Sequence, residues 1–208
     1  LSQILEISGY HSIRAHHEDE ASMSITRELQ PLQDKIAQAL ELAKKAGATA
    51  EVGVYQDQGL LASVRQGAVD KVEFTRNHGF SVTVYRGLRK GHASSSDFSP
   101  GAIAQTVQAA LDIAHYTAED PCSGLAEADQ MARQIPDLDL YQPWALQPQQ
   151  AIALAQQCEA AGLSRPGIRN SDGATVASGE SLRGYGNSHG LVVVYPESRN
   201  ADSCALIA

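Results

Sequence analysis

Cysteine is scarce in this chain, which has only Cys122, Cys158 and Cys204 among its 208 residues. Because the three are widely spaced and odd in number, the sequence predicts neither a disulfide framework nor a C-x-x-C metal or redox motif. Cys158 and Cys204 are expected to act as small buried hydrophobes. Aromatic residues make up only 5% of the chain, yet 43% hydrophobic and 19% charged residues are ordinary for a globular protein. A folded protein of a reducing compartment is therefore expected.

Positive charge is also in short supply, since 16 Lys and Arg residues against 24 Asp and Glu residues give a formal net charge of −8. Binding to nucleic acid needs Lys and Arg clustered on one face, so nucleic acid is a poor candidate partner. No stretch approaches the roughly 18 consecutive apolar residues that a membrane span needs. The start of the chain lacks the pattern of a secretory signal. These absences favour a cytoplasmic protein that binds neither nucleic acid nor membrane.

The two ends of the chain indicate a fragment. The chain begins at Leu1 rather than Met, and it ends on an apolar run from Cys204 to Ala208 that is typical of the middle of a strand. We therefore expect a C-terminal domain to be absent and the part that carries the chemistry to lie beyond residue 208. Residues 1–30 show no sustained periodicity and are predicted to be an N-terminal extension that is poorly ordered or docks elsewhere.

Residues 31–120 are predicted to form a first α+β domain. Apolar residues recur at helical spacing after Pro31, and Gly47 suits the end of that helix. Apolar and polar residues then alternate, which predicts an antiparallel meander of four or five strands with one buried face. Ser99 and Pro100 are typical of the start of a second helix, and both helices can cover the same apolar face. The predicted turns of the meander lie at 56–59, 66–67, 77–79 and 86–91.

Residues 121–147 are rich in proline and are predicted to be a linker. A third helix is predicted after Pro148, with Ala151 and Ala155 on one side and Glu159 elsewhere. Strand-like segments follow, so residues 148–208 are predicted to form a second subdomain of one helix and antiparallel strands, which is incomplete. These strand-like segments are 168–170, 174–178, 181–185, 191–195 and 203–208.

The stretch from Gly186 to Gly190 matches G-x-S-x-G, the turn that exposes a nucleophilic serine, which would be Ser188. That turn must lead into a helix, whereas the β-branched run that begins at Leu191 predicts a strand. A hairpin is therefore the simpler interpretation. Gly184 and Gly186 begin a dinucleotide-binding pattern whose third glycine is missing. The basic segment 86–91 lacks the glycine spacing of a phosphate-binding loop, and a solvated hairpin is again simpler.

Metal-ligand spacing is missing as well. His17 and Glu18 could begin a zinc-peptidase helix, but the second histidine would have to stand where the chain has Ala21 or Ser22. The other histidines are scattered without ligand spacing, and a lone histidine is more often structural than a ligand. The residues themselves therefore assign no catalytic, cofactor-binding or metal-binding role to this chain.

Many collinear segments between residues 31 and 208 together resemble the TldD/PmbA family, and within it the PmbA branch, also called TldE. A set of matches at this density is far more specific than any single short motif. Residues 1–30 depart from the family's usual start. The segments that carry the resemblance are 72–74, 79–85, 89–91, 93–95, 99–114, 116–117, 120–122, 136–140, 186–190 and 203–204.

This resemblance implies a fold and a function. Family members resemble cytosolic zinc metallopeptidases that act on peptides and unfolded proteins, and the two branches are thought to form a heterodimer around an enclosed cleft. The zinc motif, H-E-x-x-x-H, belongs to the TldD branch and lies downstream of the region that corresponds to this chain. The resemblance therefore implies a TldD-type partner that holds the zinc, and a chain that shapes the cleft without binding metal or cofactor. It also implies links to peptide-antibiotic maturation and antitoxin turnover.

Two other functions stay open at this point. The protein could be a non-enzymatic regulatory or binding protein that acts on partners without any peptidase. It could also be a serine hydrolase that uses Ser188 as its nucleophile, the weaker of the two hypotheses.

Overall fold

The computed structural model describes residues 28–208 and has the predicted α+β class. Most of the predicted N-terminal extension, residues 1–27, lies outside the described residues. The α-helices are α1 (Leu29–Lys45), α2 (Pro100–Tyr116) and α3 (Pro148–Leu163), with a short 3₁₀ helix at Ala128–Gln130. The strands are β1 (Thr49–Arg65), β2 (Ala68–Arg86), β3 (Arg89–Ser95), β4 (Asn170–Asn187) and β5 (Val192–Ile207). They form one antiparallel sheet in the order β3-β2-β1-β4-β5.

The strands are fewer and longer than the sequence predicted. β1 continues through residues 56–59 and β2 through residues 77–79, so the turns predicted at both places are wrong. Gly79 shows why a glycine there does not indicate a turn: a Cβ atom at this position would lie 2.9 Å from the ring of Tyr55 on the neighbouring strand. The glycine makes room for a cross-strand aromatic side chain instead of breaking the strand. The second half of the chain likewise has two long strands instead of five short ones.

The two halves of the chain share one sheet, which the sequence did not indicate. β1 pairs with β2 on one side and with β4 on the other, from Glu51 opposite Asn187 to Val64 opposite Ala174. The expected second helix-and-strand unit therefore adds β4 and β5 to the sheet that β1, β2 and β3 begin.

The three α-helices within residues 28–208 pack on the same face of this sheet. Even-numbered side chains of β1 point to that face: Val52 and Val54 lie in a core cluster with α1 and α2, whereas Leu60 and Ala62 lie in a second cluster with α3. The expectation that α1 and α2 cover the same face is confirmed. The predicted helix start at Ser99 is also confirmed, since its hydroxyl accepts a hydrogen bond from the backbone N–H of Ala102 at 3.3 Å.

Glu159 of α3 holds the tight turn between β1 and β2. Gln66 and Gly67 both have positive φ, 51° and 76°, as a two-residue hairpin turn of this kind requires. The two carboxylate oxygens of Glu159 accept hydrogen bonds from the backbone N–H groups of Gln66 at 2.9 Å and Gly67 at 2.8 Å. A hydrogen bond from Ser171 and those from the turn lower the pKa of Glu159. The prediction that Glu159 lies off the buried stripe is wrong, because the turn amides compensate its charge.

Cys158 and Cys204 are partly buried and pack against the second core cluster, in line with their prediction as small hydrophobes. Burial raises the pKa of the Cys204 thiol, which keeps it protonated at neutral pH. Cys122 is exposed in the connection between α2 and α3.

We predict that Glu159→Gln lowers the free energy of unfolding by about 2 kcal/mol at neutral pH, because the neutral side chain cannot accept from both turn amides. Chemical denaturation would measure the loss. Glu41→Gln on α1 is the matched control: Glu41 is exposed in its pair with Lys45, and its change should stay within about 0.5 kcal/mol.

The same pair of variants gives a pH test. Because the pKa of Glu159 is lowered by folding, its stabilisation is complete above the ordinary glutamate pKa of about 4.3 and is lost as the pH falls through the lowered value. The difference between wild type and Glu159→Gln should shrink in acid. A difference that stays constant down to the acid transition would show that the charge of Glu159 does not stabilise the turn.

Candidate functional site

The face of the sheet opposite the helices carries a dense set of polar and aromatic side chains. Odd-numbered residues of β1 and their cross-strand partners on β2 and β4 point to this face, which we call the uncovered face, since among residues 28–208 the three helices pack on the other one. Its interacting side chains are Glu51, Tyr55, Asp57, Tyr85, Arg183, Tyr185, Asn187 and Glu197.

Glu51 is bound by two tyrosines of neighbouring strands. The hydroxyl of Tyr85 donates to one carboxylate oxygen at 2.8 Å, and the hydroxyl of Tyr185 donates to the other at 3.0 Å. Burial and the contact with Glu51 raise the pKa of Tyr85 to about 12. Burial also raises the pKa of Tyr185. Both phenols therefore stay protonated at neutral pH and act as donors to a charged glutamate.

Asn187 lies opposite Glu51, at the same end of the uncovered face. Its side chain is 1% exposed, and its amide nitrogen lies 3.1 Å from the sulfur of Met131 and 3.4 Å from the Tyr185 hydroxyl. Its side-chain oxygen accepts from the backbone N–H of His189 at 3.0 Å. Met131 belongs to the connection between α2 and α3, so this connection reaches the uncovered face beside Tyr185.

Arg183 lies near the middle of the uncovered face and contacts three neighbouring side chains. Its guanidinium donates to Glu197 at 3.0 Å, lies 3.0 Å from an oxygen of Asp57, and stands 5.9 Å from the centroid of the Tyr55 ring. Burial acts to lower the pKa of Arg183, but its hydrogen bond to Glu197 and the charge of Asp57 outweigh this effect and raise the pKa. Two carboxylates therefore share one arginine that stays charged.

Ser188, the serine of the G-x-S-x-G match, has a structural role in the ladder. Its hydroxyl accepts from the backbone N–H of Ala50 at 2.7 Å, and its own N–H donates to the Ala50 carbonyl at 2.9 Å. It lies in the short turn between the antiparallel strands β4 and β5, so the hairpin interpretation is confirmed. Within residues 28–208 no histidine is hydrogen-bonded to this hydroxyl.

The basic segment 86–91 is also a hairpin, and its arginines bind the ends of helices. Arg86 donates to the carbonyl of Ala46 at the end of α1, at 2.8 Å. Arg89 donates to the carbonyls of His115 and Thr117 at the end of α2, at 3.2 and 3.1 Å. Cations at helix C-termini satisfy carbonyls that lack a partner within the helix. Helix anchoring therefore accounts for two of the three cations of this segment.

A groove of about 440 Å³ lies on the helix-covered face, next to the part of β2 that precedes its pairing with β3. Leu60 and Leu146 are buried at its base, whereas Phe74 is 70% exposed and Trp144 36% exposed at its sides. Its base and sides therefore carry apolar side chains, among polar ones such as Gln58 and Thr75. Its charged residues are Arg76 and Glu180.

The described part of the chain does not offer a fitting site for a metal ion. Residues 28–208 contain no group of three or more His, Cys, Asp or Glu side chains that could hold one. The carboxylates that come together on the uncovered face are occupied by Arg183 and by two tyrosine hydroxyls. Among the helices in the described residues, none is long and apolar enough to cross a membrane.

Comparison with protein families gives the clearest assignment. A family model described as PmbA/TldA metallopeptidase domain 1 matches residues 50–114, and one described as PmbA/TldA metallopeptidase central domain matches residues 141–208. The chain belongs to the PmbA/TldD family. Its two matched segments correspond to the two parts of the shared sheet. The first contains β2, β3 and all of β1 except Thr49, and the second contains β4 and β5.

Curated relatives place the chain in the PmbA/TldE branch of this family. The chain is 44% identical over 178 residues to Metalloprotease PmbA of Escherichia coli O157:H7, which covers 85% of this chain and 40% of that protein. It is 45% identical over 179 residues to a Metalloprotease PmbA homolog of Haemophilus influenzae, with 86% and 40% covered. The chain thus spans about two fifths of the length of these relatives.

Solved structures share the fold at lower identity. A protein from Bacteroides thetaiotaomicron described as a candidate modulator of DNA gyrase gives a TM-score of 0.70 at 22% identity, over 79% of this chain and 38% of that chain. TldE from Thermococcus kodakarensis gives a TM-score of 0.64 at 16% identity, over 79% and 37%. These likenesses show the common α+β fold.

We predict that Ser188→Ala lowers the free energy of unfolding by about 1 kcal/mol, because the N–H of the buried Ala50 loses its acceptor, and that it leaves any peptide hydrolysis by the intact protein unchanged. The exposed Ser94→Ala on β3 is the control and should change stability by less than about 0.5 kcal/mol. Thermal unfolding and a peptide-cleavage assay measure the two effects. Loss of cleavage with unchanged stability would instead support Ser188 as a nucleophile.

Proposed function

We propose that this chain is part of a subunit of a cytosolic metallopeptidase complex, in which a TldD-type partner holds the zinc and this subunit shapes the cleft that receives peptides or unfolded proteins. The observation that supports this proposal is the match of both halves of the chain to PmbA/TldA metallopeptidase domains within the PmbA/TldE branch. Zinc in the partner would activate a water molecule for peptide hydrolysis.

The described residues suit a role in binding rather than in bond cleavage. The carboxylates of the uncovered face are engaged with Arg183, Tyr85 and Tyr185, and Ser188 is engaged with the backbone. A general base or nucleophile needs a partner arrangement that leaves it free to react. The family resemblance extends the proposal to peptide-antibiotic maturation and antitoxin turnover as processes for such a complex.

A second candidate function is a regulatory or binding protein without peptidase activity. A fold neighbour described as a candidate modulator of DNA gyrase is consistent with this alternative. Recovery of the protein from cells without a TldD-type protein, together with unchanged peptide turnover in a deletion strain, would favour it.

Reconstitution tests the proposed function. The intact protein and a TldD-type protein should each be inactive or weakly active alone, and together they should hydrolyse an unstructured peptide in a reaction that a zinc chelator abolishes. Metal analysis of the separated subunits should find zinc in the TldD-type protein. Hydrolysis by the intact protein alone, or zinc retained by it, would contradict the proposal.

A further inference from the structure

Half of β2 lacks a strand partner on its outer side. β3 pairs with β2 only from Phe80 to Arg86, so within residues 28–208 the segment before Phe80 pairs with β1 alone. An unpaired strand edge presents backbone N–H and C=O groups that another extended chain can bind. We call residues 72–78 of β2 the free edge.

The hairpin between β2 and β3 shows which backbone groups face outward. Arg86 and Arg89 flank a two-residue turn, so they form a hydrogen-bonded pair across the two strands. Residues of an antiparallel strand direct their backbone groups alternately to one side and the other. The N–H and C=O groups of Val72, Phe74 and Arg76 therefore point away from β1, as do those of His78.

Apolar side chains lie beside this edge. Val72 is 40% exposed and Phe74 is 70% exposed, on the same face as the groove lined by Trp144 and Leu146. Side chains of a strand added at the free edge would alternate, so every second one would enter this groove. Unpaired backbone groups beside a groove that can receive alternate side chains are the combination that strand-adding peptide sites use.

The charge of the groove indicates what the added chain carries. Of the two charged residues of the groove, Glu180 accepts a hydrogen bond from the hydroxyl of Tyr141 at 3.0 Å. Arg76 is exposed and has no ion pair within residues 28–208. An added chain with a carboxylate near Arg76 would complement this charge.

From these observations we infer that the free edge of β2 binds an extended peptide as an additional antiparallel strand, with apolar side chains in the groove beside Phe74 and a carboxylate near Arg76. The inference takes its occupant, a peptide, from the proposed function, whereas the edge, groove and charge are properties of the described residues.

The test uses the intact protein without a partner and a short fluorescein-labelled peptide of alternating valine and threonine residues with one glutamate. Two further peptides carry N-methyl groups on one or the other alternate set of backbone amides. Only one set can face the free edge, so fluorescence anisotropy should show that one methylated peptide binds about tenfold more weakly and that the other binds like the parent. Equal binding of the two methylated peptides would overturn the inference.

Two substitutions of Arg76 distinguish the contribution of its backbone N–H to peptide binding from the contribution of its charge. Arg76→Pro removes an N–H that faces away from β1, so it should leave the melting temperature nearly unchanged and weaken peptide binding about tenfold. Arg76→Ala keeps the N–H and removes only the charge, so it should weaken binding about threefold. Peptide binding to Arg76→Pro at wild-type strength would contradict the inference.

Two other outcomes identify different occupants or functions. A concentration-dependent dimer that Arg76→Pro dissociates, without binding of the peptide, would overturn the inference in favour of a second copy of this chain. Because binding is measured without a partner, peptide binding with no hydrolysis in the reconstituted complex would support the inference while contradicting the proposed function. Hydrolysis by the reconstituted complex without peptide binding at the free edge would support the proposed function and contradict the inference.

Discussion

The pairing of β1 with β4 is the interaction on which the rest of the structure depends. It places β1 at the centre of a single sheet, with Val52 and Leu60 in the two core clusters and Glu51 and Asp57 on the opposite face. Since the side chains of a strand alternate, a shift by one residue would bury the carboxylates and expose the core. At one end of β1, Ser188 and Ala50 exchange two hydrogen bonds. At the other end, Glu159 accepts hydrogen bonds from the backbone of the β1–β2 turn. These contacts hold β1 in its register.

Local patterns in the sequence predicted much of this fold, because helix caps, alternation and tight turns depend on neighbouring residues. The helix that begins after Ser99 and the hairpins at 66–67 and 187–190 are examples. The continuity of β1 through 56–59 was missed, since polar residues and a glycine there resemble a turn until their cross-strand partners are known. The β1–β4 pairing and the burial of Glu159 join residues far apart in sequence, so no local pattern could indicate them.

The β-branched run after Ser188 correctly predicted that this serine lies in a hairpin. The uncovered face could not be predicted, because Tyr85, Arg183 and Tyr185 come together only through the order of strands in the sheet. The resulting hydrogen bonds and ion pairs connect β1, β2, β4 and β5 across the uncovered face. Membership of the PmbA/TldE branch and this arrangement are both consistent with the proposed subunit, in which a partner would supply the metal chemistry.

Residue-resolved hydrogen exchange on the intact protein tests this account most directly. Addition of the valine–threonine peptide should slow exchange at the outward-facing amides of Val72, Phe74 and Arg76. The amides of Glu73 and Thr75 already face β1 and should exchange at unchanged rates. Unchanged exchange at every amide of β2 would contradict the claim that β2 receives an extended polypeptide at its free edge. Slowing only at residues whose side chains lie on the uncovered face would contradict it as well.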